Sequence, residues 1–522
     1  MNLQRPRANK RHWLIGLLVL FTGFPSVLYA QSDLHAGHTA LVGAVSRELM
    51  ERPVTLTDAP GRLHQAVSTD SPEAQAFYDQ GLAYLASYVW VEAARSFHQA
   101  LRSDPNLAMA HLGLARAYAG VDAREETKAH LQKAQTLAVN GKVTTKEAKW
   151  IALAVQQQEA IQAPPEQRAK LHQAYKEAVE ELIALDVNDP YAWILRGNAE
   201  EPGPWGRGQV GKVGSIAYYE AALQRDPRNL AAHHFLVHSY ENIGRHDLAA
   251  EHGKAYAAEA KEIPHAQHMY GHVLPRLGRW QEALHQLSEA DRLERKYYAE
   301  QNVAPEEDWH HGHNLHLLGT VQLRLGNEAE AERLFKEAYE LKGRGMLADR
   351  YAAPWIEHLL LRERFAEALK IAQDVEQRPS PTARLLGAAL AGEAYLGLDR
   401  LAEAKKALKR AEAAEPKVIA SLKSTPYEAF GSSFSRSFIN TLSSQIALRG
   451  KTPREGERQF IVMADALAAN PRLDAWADGL FRLERMARDA RRVGRPELAQ
   501  ALVERMHKID PGFTSTALAS AK

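Results

Sequence analysis

The sequence predicts an all-α fold, a right-handed solenoid of about ten stacked helix pairs between residues 73 and 513. Three observations predict it. From residue 73 the chain is rich in Ala and Leu, with apolar residues at helical spacing and short breaks between runs. Small and large residues then recur in a fixed order: Gly81, Tyr84, Ala93, Phe97, Ala100 and Pro105 sit at offsets 0, 3, 12, 16, 19 and 24. Finally, whole motifs return 34 residues later, as from His234 to His268, His238 to His272 and Gly244 to Gly278.

Before the repeats, residues 1–30 read as an export signal. Arg5, Arg7, Lys10 and Arg11 form a basic start, Trp13 to Phe24 is an apolar run, and Ala30 offers a cleavage point. The run is short for a bilayer span of ~20 residues, so no membrane attachment beyond export is expected. The mature chain is expected to begin near Gln31, in the periplasm or secreted. Residues 31–72 carry scattered Pro, Gly, Ser and Thr without a sustained period and are expected to be an extended arm, with His35 and His38 solvated. The chain has no Cys, which excludes disulfides, thiolate metal sites and a cysteine nucleophile. Lys plus Arg is 65 and Asp plus Glu is 64, a net charge of +1, which gives no electrostatic case for a nucleic-acid partner.

The order of small and large residues has a packing logic. Gly81, Ala93 and Ala100 let two helices approach, Tyr84 and Phe97 fill the gap, and Pro105 turns the chain. These residues match positions 8, 11, 20, 24, 27 and 32 of the tetratricopeptide repeat, and the sequence resembles that family, whose unit is two antiparallel helices in 34 residues. The register recurs at Gly244, Ala249 and Ala257; at Gly278, Ala283, Leu287 and Ala290; and at Gly326, Ala331, Phe335 and Ala338. It returns at Gly392, Tyr395, Ala404, Leu408 and Pro416, and at Gly494, Ala499 and Pro511. The stretches 141–190 and 416–455 fit it poorly and are expected to be irregular helices. A Gly-rich segment, Pro202 to Gly214, splits one unit and reads as a flexible loop over the groove, since it lacks the Walker spacing and follows no strand. Residues 514–522 are expected to be a flexible tail.

Histidine is distributed unevenly. Residues 233–316 hold thirteen of the 23 His, and seven of them keep repeat register: His234, His238, His265, His268, His272, His313 and His316. The third unit is displaced by an insertion, about Tyr298 to His311, which carries Glu306, Glu307 and Asp308. In the family these seven fall at positions 2, 5 and 9 of the first helix, which line the concave groove. Neighbouring first helices lie ~8–10 Å apart, so imidazoles from three helices can converge. His234, His238, His268, His272 and His316 are expected in one concave pocket, with His265 and His313 at its edge. Gathered neutral imidazoles suit a transition metal, copper or zinc, and copper binds more tightly for the same donors. If the metal activates water, Glu241, one turn beyond His238, is the expected general base; an oxidase is the alternative chemistry. Two other readings stand beside the metal: a groove for a small molecule, a peptide or a protein partner, and an imidazole network that only holds the structure. The sequence further resembles bacterial exported tetratricopeptide proteins with a His-x-x-x-His helix, a Pro-His-x-x-His-Met-x-x-His helix and a His-Asn helix, matched here by His234 with His238, Pro264 to His272, and His313-Asn314.

Overall fold

A computed structural model of the chain describes residues 45–141, 143–341, 346–422, 428–450, 453–469 and 475–515. The expected export signal, residues 31–44 of the arm with His35 and His38, and residues 516–522 of the tail lie outside the described residues. The described residues form an all-α solenoid with no strand among them. A short helix, Arg47–Glu51, precedes eleven helix pairs. In order, their first helices are Pro72–Ala86, Ala108–Gly120, Thr145–Gln162, Pro190–Ala199, Leu230–Asn242, Pro264–Val273, Trp309–Arg324, Met346–Leu361, Pro381–Gly397, Glu428–Leu448 and Ala475–Arg492. The stretch from 141 to 190, expected to be irregular, is a regular pair, Thr145–Gln162 and Pro165–Leu185. Among the described residues, no helix is long and apolar enough to cross a membrane.

Local chemistry starts and stops the helices. Ser71 accepts a hydrogen bond from the Ala74 amide, Asn229 from Ala232, and Thr144 with Glu147 closes a capping box. Proline opens the helices beginning at Pro72, Pro165, Pro190, Pro264 and Pro381, where its missing amide costs nothing. Pro416 departs from the expected register. It lies inside Leu401–Ser421 rather than ending a helix.

Within a unit the expected packing is present. Phe97 is fully buried, and a Cβ added at Gly81 or Gly113 would come within 2.6 or 2.5 Å of its ring. One apolar core runs from Met50 to Phe513, and a second surrounds Trp355, Leu386 and Phe438. The insertion from Tyr298 to His311 mostly lengthens helices. Trp280–Gln301 runs 22 residues, a 3₁₀ turn at Pro305–Glu307 follows, and Asp308 caps Trp309–Arg324 by accepting from the His310 amide.

The two ends of the solenoid fold back over its middle. Arg95 donates to Gln301 Oε1 at 3.0 Å, and Arg52 donates to the Gln301 carbonyl at 2.7 Å. From the other end, Trp476 Nε1 donates to the His272 carbonyl at 3.1 Å, and Arg485 pairs with Glu393 and Glu357. The central first helices therefore face chain rather than water.

Candidate metal centre

Three first helices carry the site: Leu230–Asn242, Pro264–Val273 and Trp309–Arg324. On each, His residues three or four apart share a face. The register brings all seven predicted histidines to the inner side, and His234, His238, His265, His268, His272 and His316 are 0–6% exposed. They do not meet at one point, however. Three of them form one group, two join His310 in a second group, and His272 and His316 lie apart from both.

The first group is His234, His238 and His265. His234 Nε2 lies 3.1 Å from His238 Nε2 and 3.1 Å from His265 Nε2. His234 Nδ1 donates to the Ala86 carbonyl at 2.7 Å. A carbonyl only accepts, so the proton is on Nδ1 and the Nε2 lone pair faces the other two rings. Burial pushes the His234 pKa down to about 3, so the ring is neutral. Nitrogens bound at ~2.0–2.1 Å to one ion lie about 3–3.5 Å apart. Two of the three separations in the first group have that spacing.

The second group is His268, His310 and His313. Ring centroids are 4.4 Å apart for His268 and His310, and 4.6 Å for His268 and His313. Each anchored ring is again oriented by its Nδ1. Asn314 donates from Nδ2 to the Leu287 carbonyl, which turns its oxygen towards His268 Nδ1 at 3.0 Å. The fully buried Glu294 takes His310 Nδ1 at 2.5 Å and His311 Nδ1 at 2.8 Å. Burial alone would raise the Glu294 carboxyl, but its bonds to His310 and His311 hold it down at about 2. An ionised carboxylate accepts only, so His310 donates to it from Nδ1, and neither His310 Nε2 nor His268 Nε2 has a hydrogen-bond partner. A carboxylate behind an imidazole is the arrangement that orients a metal-binding His. The two groups adjoin, since the His265 and His310 rings are 4.9 Å apart.

Several residues fall differently from the expected single pocket. His265 and His313, expected at the edge, belong to the two groups. His272 places Nδ1 3.3 Å from the Glu241 carboxylate, with both side chains buried, and belongs to neither group. Arg276 stands near Glu241 as well. His316 lies against Tyr351 and Phe335. At the level of His272 the C-terminal unit packs in, Trp476 Nε1 donating to the His272 carbonyl. His310 and Glu294 are the ligand-side residues that repeat register missed. His310 carried a signal, three residues before His313 on one helix, but Glu294 comes from the second helix of the preceding unit.

The Gly-rich loop covers the first group. Arg207 offers its carbonyl to Tyr88 Oη at 2.9 Å, and Asn242 donates to the carbonyls of Gln209 and Gly211. Glu201 accepts from the amides of Arg207 and Val210, and burial pushes its carboxyl up to about 7. Gly208 has φ +95°, and a Cβ there would meet Phe235 at 2.2 Å. Only glycine allows this loop so close to the helix that carries His234.

No protein-family model matches the chain, and no curated protein matches it. Solved structures do. A tetratricopeptide repeat protein from Parabacteroides merdae is 15% identical, over 52% of this chain and 98% of that one, with a TM-score of 0.34. Yeast Tom70 is 12% identical, over 83% and 93%, with a TM-score of 0.37. The human IFIT1 dimer with m7Gppp-AAAA is 11% identical, over 91% and 99%, with a TM-score of 0.34. On its own 34-residue register and its antiparallel helix pairs, the chain is a tetratricopeptide-type repeat solenoid.

Proposed function

We propose that this repeat scaffold is an exported metalloprotein that holds transition-metal ions, copper or zinc, in its two three-imidazole groups. The observation that supports the reading is the convergence of His234, His238 and His265 Nε2 atoms, two of the separations being 3.1 Å, in a site where burial keeps His234 neutral. Neutral imidazole is the metal-binding form. Three imidazoles leave a fourth position on a tetrahedral ion, so each group is suited to bind a further small ligand. Glu241 is engaged with His272 and sits apart from both groups, so it carries no base role in this proposal.

The test is elemental analysis of protein purified without a His tag, before and after loading with Cu(II) or Zn(II). Retention of up to two equivalents supports the proposal, and no retention after loading rejects it. The second reading is a scaffold for a peptide or protein partner. The repeat fold itself favours it, because stacked helix pairs present extended surfaces for binding. A chain that takes no metal but captures a partner through its solenoid would put that reading first. Export is tested separately by intact mass of periplasmic protein, expected to begin near Gln31.

A further inference from the structure

Beside the two groups lies a cleft with about 280 Å³ of free volume. His265 and His310, one from each group, form part of its wall, together with Tyr84, Tyr88, Tyr297 and Trp309. A cavity of ~150 Å³ holds one benzene molecule, so this cleft has room for one or two rings. Tyr88 lies 5.5 Å from the His265 ring, and Trp309 lies 6.2 Å from His265 and 5.4 Å from His310. Aromatic faces on both sides of the imidazoles favour a flat, aromatic guest.

Acidic side chains outnumber basic ones around the cleft: Glu92, Glu262, Glu300 and Asp308 line it against Lys296 alone. Glu92 pairs with Arg95 at 2.6 Å and accepts from Tyr297 Oη at 2.9 Å. Glu262 pairs with Lys296 at 2.9 Å. Asp308 accepts from Tyr298 Oη and the His310 amide. An anionic guest would lose its hydration and meet carboxylates rather than a counter-ion.

Tyr88 adds an independent observation. It occupies the turn after the first helix, at φ 57°, in the left-handed region. The matching turns elsewhere use Asp122, Gly244, Gly278, Gly326, Glu363, Asp399 and Gly494. Among the described residues only here does an aromatic side chain take that backbone, and its ring lies 4.6 Å from His234 and 5.5 Å from His265. Strain of this kind persists where the surroundings impose it, and it collects at ligand clamps.

We propose that the cleft binds a small, flat aromatic molecule without negative charge, held against Tyr88 and Trp309, beside the metal groups. That placement beside metal rests on the proposed function; the binding itself does not. The experiment is calorimetric titration of the metal-free full chain with 2-naphthol, a two-ring phenol, and with 2-naphthoate, its charged counterpart. Saturable 1:1 binding of 2-naphthol is expected, with 2-naphthoate at least about tenfold weaker. Tyr88→Gly, which installs the residue other turns use, and Trp309→Leu are each expected to weaken 2-naphthol by about tenfold with the far-UV circular dichroism unchanged. Unsaturable binding, equal binding of naphthoate, or no effect of either substitution overturns the proposal. Lost naphthol binding with metal loading intact fails the cleft alone; lost metal loading with naphthol binding intact fails the metal centre alone.

Discussion

His234 donates its Nδ1 proton to the carbonyl of Ala86, a residue 148 positions earlier in the chain, at 2.7 Å. That bond fixes the tautomer of the central ring in the first imidazole group, and it exists only because the first helix pair returns to the fifth. A ligand on one repeat is thus oriented by the backbone of another.

Under the proposed function, the division of the histidines implies two metal equivalents. His234→Ala is expected to remove one equivalent and spare the second group, and His268→Ala to do the reverse. His272→Ala should keep both equivalents, since His272 faces Glu241. Inductively coupled plasma mass spectrometry on reloaded, tag-free variants gives the count. Loss of all metal in His272→Ala would restore a single shared pocket.

Glu294 holds His310 through Nδ1 and leaves its Nε2 to the second group. Loss of such an outer partner typically weakens metal binding by about 10–100-fold. Glu294→Gln should therefore lower the affinity of the second group by that factor and leave the first group unchanged. Competition against a chromophoric chelator measures both affinities in one titration.

Phe97 fills the space between the helices carrying Gly81 and Gly113. Phe97→Ala removes a fully buried ring from a site whose backbone is held by neighbouring units, at a cost of about 3–5 kcal/mol. Urea unfolding followed by circular dichroism should show the loss. A cost below about 1 kcal/mol would mean that the neighbouring units collapse into the space.

Acid should loosen the N-terminal units. Burial, with neighbouring His130, pushes His98 and His111 down to about 4 from an ordinary value of 6.5. Below pH 6.5 the unfolded chain takes up these protons and the folded chain does not, so stability falls as pH drops from about 6.5 towards 4. Above pH 6.5 both states are neutral, and these groups add no pH dependence. Melting temperature across that range measures the slope, and His98→Gln with His111→Gln should flatten it.

The sequence by itself determined the fold class and the helix carrying each histidine. Close packing demands small residues at Gly81, Ala93 and Ala100 and a large one at Phe97, and such a local rule survives in one dimension. The 34-residue spacing of His234 and His268 likewise placed them on matching faces of neighbouring helices. Register could not say which rings come together. That depended on closure of the superhelix, which brings Ala86 to His234 and Trp476 to the His272 carbonyl. It also depended on the lengthened Trp280–Gln301 helix and the cap at Asp308, which present Glu294 to His310. These are contacts between residues distant in the chain or on differently facing helices. A repeat pattern records only how each unit packs on its neighbours, so the partition into two groups is a property of the tertiary structure.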